Sequence, residues 1–256
     1  MKYVFAGDRD VSVHVLRFMI NEGYPPEALI VSGINKASHA KELIELSRLP
    51  EDKILQGKEF ASEGGLRLLQ NLSPDYIIGI HFPYLISGEV LNIPKVGFLN
   101  LHPAYLPYNR GWHTPSWAII DETPIGATLH FMVEQLDAGD IIYQCQLHPT
   151  PADTANTLYQ KLKKLEFEIF KKAWPQLVTL NPERSEQDLE AGTSHKRKDL
   201  FQPSIQELHL RESYELDSLM RKLRGLTTND LSEAAYFLKD GKKYQVQVQI
   251  IEVDDV

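Results

Sequence analysis

The sequence holds a single cysteine, Cys145. One thiol closes no internal disulfide and makes no paired metal-ligating motif, and with no ligand-type neighbours it reads as a small buried apolar residue. No run approaches the ~20 apolar residues that cross a bilayer. No apolar stretch of the secretory kind follows Met1 and Lys2, so the expected setting is a reducing cytoplasm with no membrane partner. The sequon Asn71-Leu72-Ser73 is then a chance occurrence. Positive charge is in deficit, with 27 Lys and Arg against 35 Asp and Glu and a net charge of −8. Such a chain repels polyanions, which argues against nucleic acid as a partner and requires any anionic ligand to be held locally. Internal repeats are absent, and so is the three-glycine dinucleotide fingerprint.

What is present is an ordinary globular composition, 43% hydrophobic over 256 residues, enough for one substantial domain and an appendage. Tyr3 to Ala6 reads as a strand, Gly7-Asp8 as a turn, and Val11, Val15, Phe18 and Met19 as a helix face closed by Gly23. Strands at Ala28 to Val31, Ile54-Leu55 and Tyr76 to Ile80 alternate with helices at Ala37 to Leu46 and Ala61 to Leu69. That rhythm predicts an α/β fold, a Rossmann-like, mostly parallel sheet covered on both faces, with ligands beyond the carboxyl ends of its strands. A strand at Gly97 to Leu101 follows, then a helix for which Thr114 is the expected N-cap and Pro115 the first residue. Ala127 to Glu134 and Ile141 to Leu147 read as neighbouring strands, and Asp153 or Thr154 caps a long amphipathic helix. Asn181 to Lys198 reads as a polar linker, Ser213 to Leu226 as a helix, and Ala235 to Val253 as a hairpin turning at Asp240-Gly241. A boundary near residue 200 separates a domain of 1–200 from a small α+β, hairpin-bearing segment of 201–256.

Chemistry-bearing residues fall at the expected strand ends. Asn100 and His102 are two apart in an extended segment and so share a face. Together they offer an N–H donor for a developing oxyanion and a group that moves protons near neutral pH; alone they read equally as a turn cap and a core histidine. Leu136-Asp137-Ala138-Gly139-Asp140 is an acidic loop whose carboxylate is a candidate to orient His102, or a routine turn. Arg110 and His113, beside the start of the Thr114 helix, make a candidate anion site, with a surface loop as the alternative. In Gly7-Asp8-Arg9-Asp10 only Gly7 and Arg9 speak for phosphate. A metal-dependent hydrolase would draw on His81, His102, His113 and Asp137, but no His-x-x-His or cysteine pair supports it, and no metal is expected.

"GFLNLHPAYLPYNRGWHTPSWAI" followed by "GATLHFMVEQLDAGDIIYQ" resembles the folate-dependent formyltransferases, whose motif is Asn-x-His, a Leu-Pro loop ending in Gly, and a later Leu-Asp-x-Gly. The resemblance runs from residue 1 to about residue 175. It implies the formyltransferase fold, a catalytic set of Asn100, His102 and Asp137, and 10-formyltetrahydrofolate as formyl donor. The family's Ser after His-Pro is Ala104 here, and Tyr105 replaces a Leu. The same resemblance implies a pterin edged by Phe82, Pro83, Tyr84, Leu85 and Ile86 and by the loop of Asp137 and Asp140. Plain core packing is the alternative for Phe82 to Ile86.

The loop Tyr105 to His113 and the tail segments "TSHKRKDLF" and "KLRGLTTNDLSEAAYFLKDGKKYQVQVQI" look most like the nucleotide-sugar N-formyltransferases. That implies a nucleotide sugar as partner, with dTDP the favoured carrier. Gly7, Arg9, Asn109, Arg110 and His113 would hold the diphosphate, and Tyr105, Tyr108 or Trp112 would line the sugar or base. It also implies a homodimer through the C-terminal segment. Methionyl-tRNA and glycinamide ribonucleotide formyltransferases are the alternatives, and a non-catalytic nucleotide-binding module is a more distant one. In the tail, Lys196, Arg197, Lys198, Arg221, Lys222 and Arg224 are offset by Asp199, Glu207, Glu212, Glu215, Asp217, Glu252, Asp254 and Asp255, which disfavours an electrostatic tRNA platform.

Overall fold

A computed structural model describes residues 1–33 and 37–253; Asp254 and Asp255 of the acidic end lie outside the described residues. In chain order the elements are β1 (Tyr3–Gly7), α1 (Asp10–Asn21), β2 (Ala28–Val31), α2 (Ala40–Ser47), β3 (Ile54–Gln56), α3 (Glu63–Leu72), β4 (Tyr76–Ile80), α4 (Gly88–Leu91) and β5 (Gly97–His102). They continue with β6 (Arg110–Gly111), α5 (Thr114–Ile120), β7 (Ile125–Phe131), β8 (Ile141–Leu147), α6 (Ala155–Val178), β9 (Ser194–His195), α7 (Pro203–Gln206), α8 (Leu216–Gly225), β10 (Ala235–Lys239) and β11 (Lys242–Val246). Every residue of β1, β2 and β4 is buried, which is why these strands read as continuous apolar runs rather than as alternation.

The main sheet runs β3-β2-β1-β4-β5-β7-β8. Strands β1 to β5 are parallel, and β7 lies antiparallel to β5. The chain winds outward from β1 to β3 and returns to β4 on the other side of β1, so the strand order reverses beside β1, where open sheets of this type bind ligands. This is the α/β, mostly parallel fold expected from the strand and helix rhythm, with a β10–β11 hairpin near the C-terminus.

Two compact units divide the chain. The first comprises Met1–His102, Thr128–Gln144 and Lys164–Gln187. On one side its core is Val4, Ala6, Ile30, Ile77 and Phe98 against Phe60 and Leu69. Elsewhere Phe18 of α1 meets Phe170 and Trp174 of α6 edge to face, an arrangement that suits ring quadrupoles. The second comprises Pro103–Ala127, Cys145–Lys163 and Asp188–Val256. It is built on a cluster of Ile119, Ile125, Leu158 and Leu162 and another of Trp117, Leu200, Leu226 and Ala235. Strand β6 pairs with β9, and the hairpin turns through Asp240 and Gly241, both at positive φ, as a two-residue turn requires.

Several boundaries differ from expectation for identifiable reasons. Helix α3 starts at Glu63 because the Ser62 hydroxyl accepts a bond from Gly65 N at 3.1 Å. Thr114 is not the cap of α5. It is the first helical residue, His113 precedes it at φ 57°, and its hydroxyl donates to Pro103 O at 2.6 Å. Thr154 does cap α6, accepting from Thr157 N at 3.4 Å. Helix α8 begins only at Leu216, where the Glu215 carboxylate accepts from the N–H groups of Asp217 and Ser218. Strand β11 stops at Val246, where its pairing with β10 ends at Ala235.

Candidate active site

The β5 alternation puts Asn100 and His102 on one face. The antiparallel register with β7 then sets His130 opposite Asn100 and Thr128 opposite His102. Asp137 closes the group from the loop after β7. Its Oδ1 accepts from Asn100 Nδ2 at 3.5 Å, and its Oδ2 lies 3.5 Å from His102 Nε2. The structure therefore brings Asn100, His102 and Asp137 together at the end of β5, and His102 Nε2 is buried without a hydrogen-bond partner.

The loop that delivers Asp137 is held from two sides. Asp137 sits at φ 48°, a left-handed conformation that short polar side chains tolerate. Gln187 Nε2 donates to Asp137 O at 3.0 Å and to Gly139 O at 2.6 Å. A Cβ on Gly139 would lie 2.1 Å from Phe131 O, so the Leu-Asp-x-Gly motif needs glycine for close backbone approach. Gly139→Ala is expected to swing the Asp137 carboxylate away and lower kcat by about 10²-fold; turnover measured beside a thermal melt checks this.

His130 was not among the sequence candidates. Its Nδ1 donates to Phe131 O at 2.8 Å, which leaves Nε2 as a lone-pair acceptor for Asn100 Nδ2 at 3.3 Å. Burial pushes its pKa from the ordinary 6.5 down to about 4, against the opposing charge of Asp137, with His102 adding to the depression. A neutral His130 thus fixes which end of the Asn100 amide faces Asp137. The unfolded imidazole takes its proton near 6.5 and the folded one only near 4, so between these values the unfolded chain binds more protons and stability rises with pH. Urea melts from pH 7 down to 4 are expected to show a loss of roughly 3 kcal/mol from this group, absent in His130→Gln.

The other sequence candidates are placed as follows. Phe82 and Tyr84 pack their rings on each other and on Phe60, and Tyr84 OH accepts from Gly33 N at 3.2 Å. With Ile86 they anchor the post-β4 loop to the core, Pro83 is half-buried, and Leu85 is 90% exposed. What this loop can offer a cofactor is its backbone edge and Leu85. Asp140 is half-buried, and its carbonyl accepts from Phe131 N. Gly7 ends β1 where a Cβ would lie 2.9 Å from Phe5 and Ser12. Arg9 is exposed at φ 83°. Asp8 between them is buried. Against the raising effect of burial, N–H bonds from His39, Ser38 and Arg9 hold its carboxyl below the usual range.

In the second unit, Tyr105 and Tyr108 are half-buried. Asn109 is buried, its amide donating to Thr123 Oγ1 at 2.8 Å and to Pro124 O at 3.3 Å and accepting from Thr193 Oγ1 at 3.4 Å, so its side chain is engaged in joining three segments. Arg110 Nε is buried without a hydrogen-bond partner. Trp112 is exposed, with the Arg197 guanidinium 5.5 Å from its ring centroid. His113 Nδ1 lies 3.2 Å from Glu233 Oε1, and its Nε2 is buried without a hydrogen-bond partner. Among the described residues no group of three or more His, Cys, Asp or Glu is placed to hold a metal ion, and no described helix is long and apolar enough to cross a membrane.

The first unit is thus an open α/β sheet carrying an amide, an imidazole and a carboxylate at one strand end, a set suited to acyl transfer. Residues 26–174 match the formyl transferase family, and residues 201–252 match the N-formyltransferase dimerization C-terminal domain. The chain belongs to the formyl transferase family. It is 30% identical to the methionyl-tRNA formyltransferase of Halalkalibacterium halodurans over 261 residues, covering 96% of this chain and 77% of that protein. It spans 63% of the length of the Geobacillus sp. WCH70 relative of the same name. A solved sugar N-formyltransferase from Shewanella sp. FDAARGOS_354 shares the fold, with a TM-score of 0.82 at 24% identity, covering 99% of each chain. So does WlaRD, a sugar 3N-formyltransferase solved in the presence of dTDP and 5-N-formyl-THF, with a TM-score of 0.70 at 18% identity, covering 92% of this chain and 84% of that one.

Proposed function

We propose that this formyl transferase moves a formyl group from 10-formyltetrahydrofolate to the amine of a nucleotide-linked amino-deoxy sugar, with dTDP as the carrier. The observation that carries the chemistry is the convergence of Asn100 and His102 on the Asp137 carboxylate, where His102 Nε2 is a buried nitrogen without a hydrogen-bond partner. The folate supplies the formyl carbon. The sugar amine nitrogen would bond to the formyl carbon as that carbon's bond to the folate nitrogen breaks, and the proton the amine loses would pass to the departing nitrogen through His102 or a water. Asn100 Nδ2 and His102 Nε2 would donate to the formyl oxygen as negative charge builds there, with the Asp137 carboxylate orienting His102. The 3.5 Å contact from Asn100 Nδ2 to Asp137 is long for a hydrogen bond, so this N–H is ready to exchange for a better acceptor. No metal enters the reaction. The pterin is assigned to the backbone edge of Phe82 to Ile86 and the loop of Asp137 and Asp140.

The sugar acceptor is supported by the match of residues 201–252 to a domain named for N-formyltransferases and by the balanced charge of that tail, which suits a protein contact better than tRNA phosphates. In the second unit Arg110 and His113 are assigned to the diphosphate and Tyr105, Tyr108 or Trp112 to the sugar and base; in the first unit Gly7 and Arg9 are assigned to phosphate. Asn109 is assigned to the same loop as its internal brace. Residues 201–256 are assigned to a homodimer contact, with Leu231, Leu238 and Tyr244 exposed for it, and the working compartment is the cytoplasm. The relatives named methionyl-tRNA formyltransferase make tRNA the competing acceptor. Offering the enzyme folate donor with a panel of aminosugar nucleotides, methionyl-tRNA and glycinamide ribonucleotide tests this directly. Formylation of an aminosugar nucleotide alone is expected, and formylation of only methionyl-tRNA or glycinamide ribonucleotide overturns the sugar assignment.

A further inference from the structure

A second buried charge pair stands at the end of β4, outside the Asn100 group. His81 Nε2 lies 2.7 Å from Glu166 Oε1 of α6, with the side chains only 8% and 0% exposed. His81 is also at φ 51°, and a left-handed residue other than glycine persists only where its surroundings over-determine it. Immediately before it, Ile80 O accepts from Ser12 Oγ at 2.6 Å. Immediately after it comes the loop Phe82 to Ile86, pinned farther along by the Phe60 and Tyr84 rings. Between those two fixed points, the His81 turn is what sets the direction in which the loop leaves the sheet.

We propose that the His81–Glu166 pair is a positioning device that holds the β4 exit in its left-handed turn and so sets the backbone edge on which the formyl donor is received. This rests on the assignment of that edge to the pterin. Burial alone would push His81 down, but the charge and hydrogen bond of Glu166, with Asp10 adding to them and Arg9 opposing, hold it above its ordinary value. Removing only one partner leaves the other buried without this 2.7 Å contact.

Two variants test this. Glu166→Gln keeps the shape and removes the charge. The double variant His81→Phe with Glu166→Met removes both polar groups together, a change that buried pairs often tolerate without loss of stability. Tetrahydrofolate titration calorimetry, steady-state kinetics with both substrates and thermal melts are read on each. Donor KM and tetrahydrofolate Kd are expected to rise about tenfold or more in both, with kcat within about threefold and the aminosugar-nucleotide KM unchanged. If Glu166→Gln does not fold, the double variant carries the test. Folded variants that take the donor as the wild type does, or that lose kcat at unchanged donor KM, overturn the proposal. Failure of both to fold assigns the pair to stability and overturns it too. Failure of the wild type itself to bind tetrahydrofolate removes the pterin assignment, and the inference falls with it.

Discussion

Asp137→Asn is expected to lower kcat by about 10³- to 10⁴-fold with little change in melting temperature. Asparagine matches the shape and tolerates the φ of 48° found at this position. The backbone carbonyl that receives Gln187 Nε2 is untouched, so the loop keeps its place. What is lost is a charge and an acceptor. The carboxylate now serves Asn100 Nδ2 through Oδ1 and faces His102 Nε2 through Oδ2. An amide in its place aims an N–H at one of these donors and leaves the imidazole with no anion opposite. Because the change acts as charge builds at the reacting centre, it falls on kcat rather than on the affinity for either substrate. Steady-state kinetics at saturating folate donor, paired with a melt, measure it, and a rate within tenfold of wild type would remove Asp137 from the catalytic set.

Much of this arrangement was legible because it lies in short-range pattern. The run Tyr76 to Ile80 and the segment Ile141 to Leu147 are bounded by turn residues and became β4 and β8 without adjustment. The side-chain period of two put Asn100 and His102 on one face, as the structure has them. What was not legible depends on pairing partners far away in the chain. His130 lies in a strand read correctly as extended, yet only the antiparallel register of β5 and β7 sets it beside Asn100. Its alternation with Thr128 was the available signal, and alternation does not say which strand a residue faces. His81 and Glu166 are 85 residues apart and share no local motif. Thr114 before Pro115 has the form of a helix cap, but it is already the first helical residue after His113 at φ 57°, and its hydroxyl donates to the carbonyl of Pro103. The alternation Val246, Val248, Ile250 continues past β11, but a strand lasts only as long as its ladder, and β10 supplies no partner beyond Ala235.

The site also divides two histidines by environment. His130 is held neutral and works as an acceptor, because its Nδ1 proton is committed to Phe131 O and burial opposes a second proton. His102 keeps a buried nitrogen without a hydrogen-bond partner beside a carboxylate. Two imidazoles with ring centroids 6.2 Å apart can then act oppositely, one orienting the amide and the other donating to the substrate. Such separation of roles is how acid and base assignments are read from environment.

Asn100→Ala is expected to cost about 10²- to 10³-fold in kcat, or about 3–4 kcal/mol of barrier, the usual consequence of deleting one preorganised donor to an oxyanion. The amide is preorganised by two acceptors of different kinds, the lone pair of neutral His130 at 3.3 Å and the carboxylate of Asp137 at 3.5 Å. Both hold Nδ2 rather than Oδ1 toward them, so the side chain cannot flip its amide without losing both. Truncation to alanine leaves His130 Nε2 without its amide donor in a wholly buried position, and the fold should lose about 1–3 kcal/mol from that alone. The two effects separate by measurement. The stability loss appears in a denaturant melt with no substrate present, and the barrier appears in kcat at a temperature where the variant is fully folded. Asn100→Asp should be as slow as alanine, since a carboxylate can give no N–H and would face Asp137 with like charge. A kcat for Asn100→Ala near wild type would leave His102 as the sole donor and take the amide out of the mechanism.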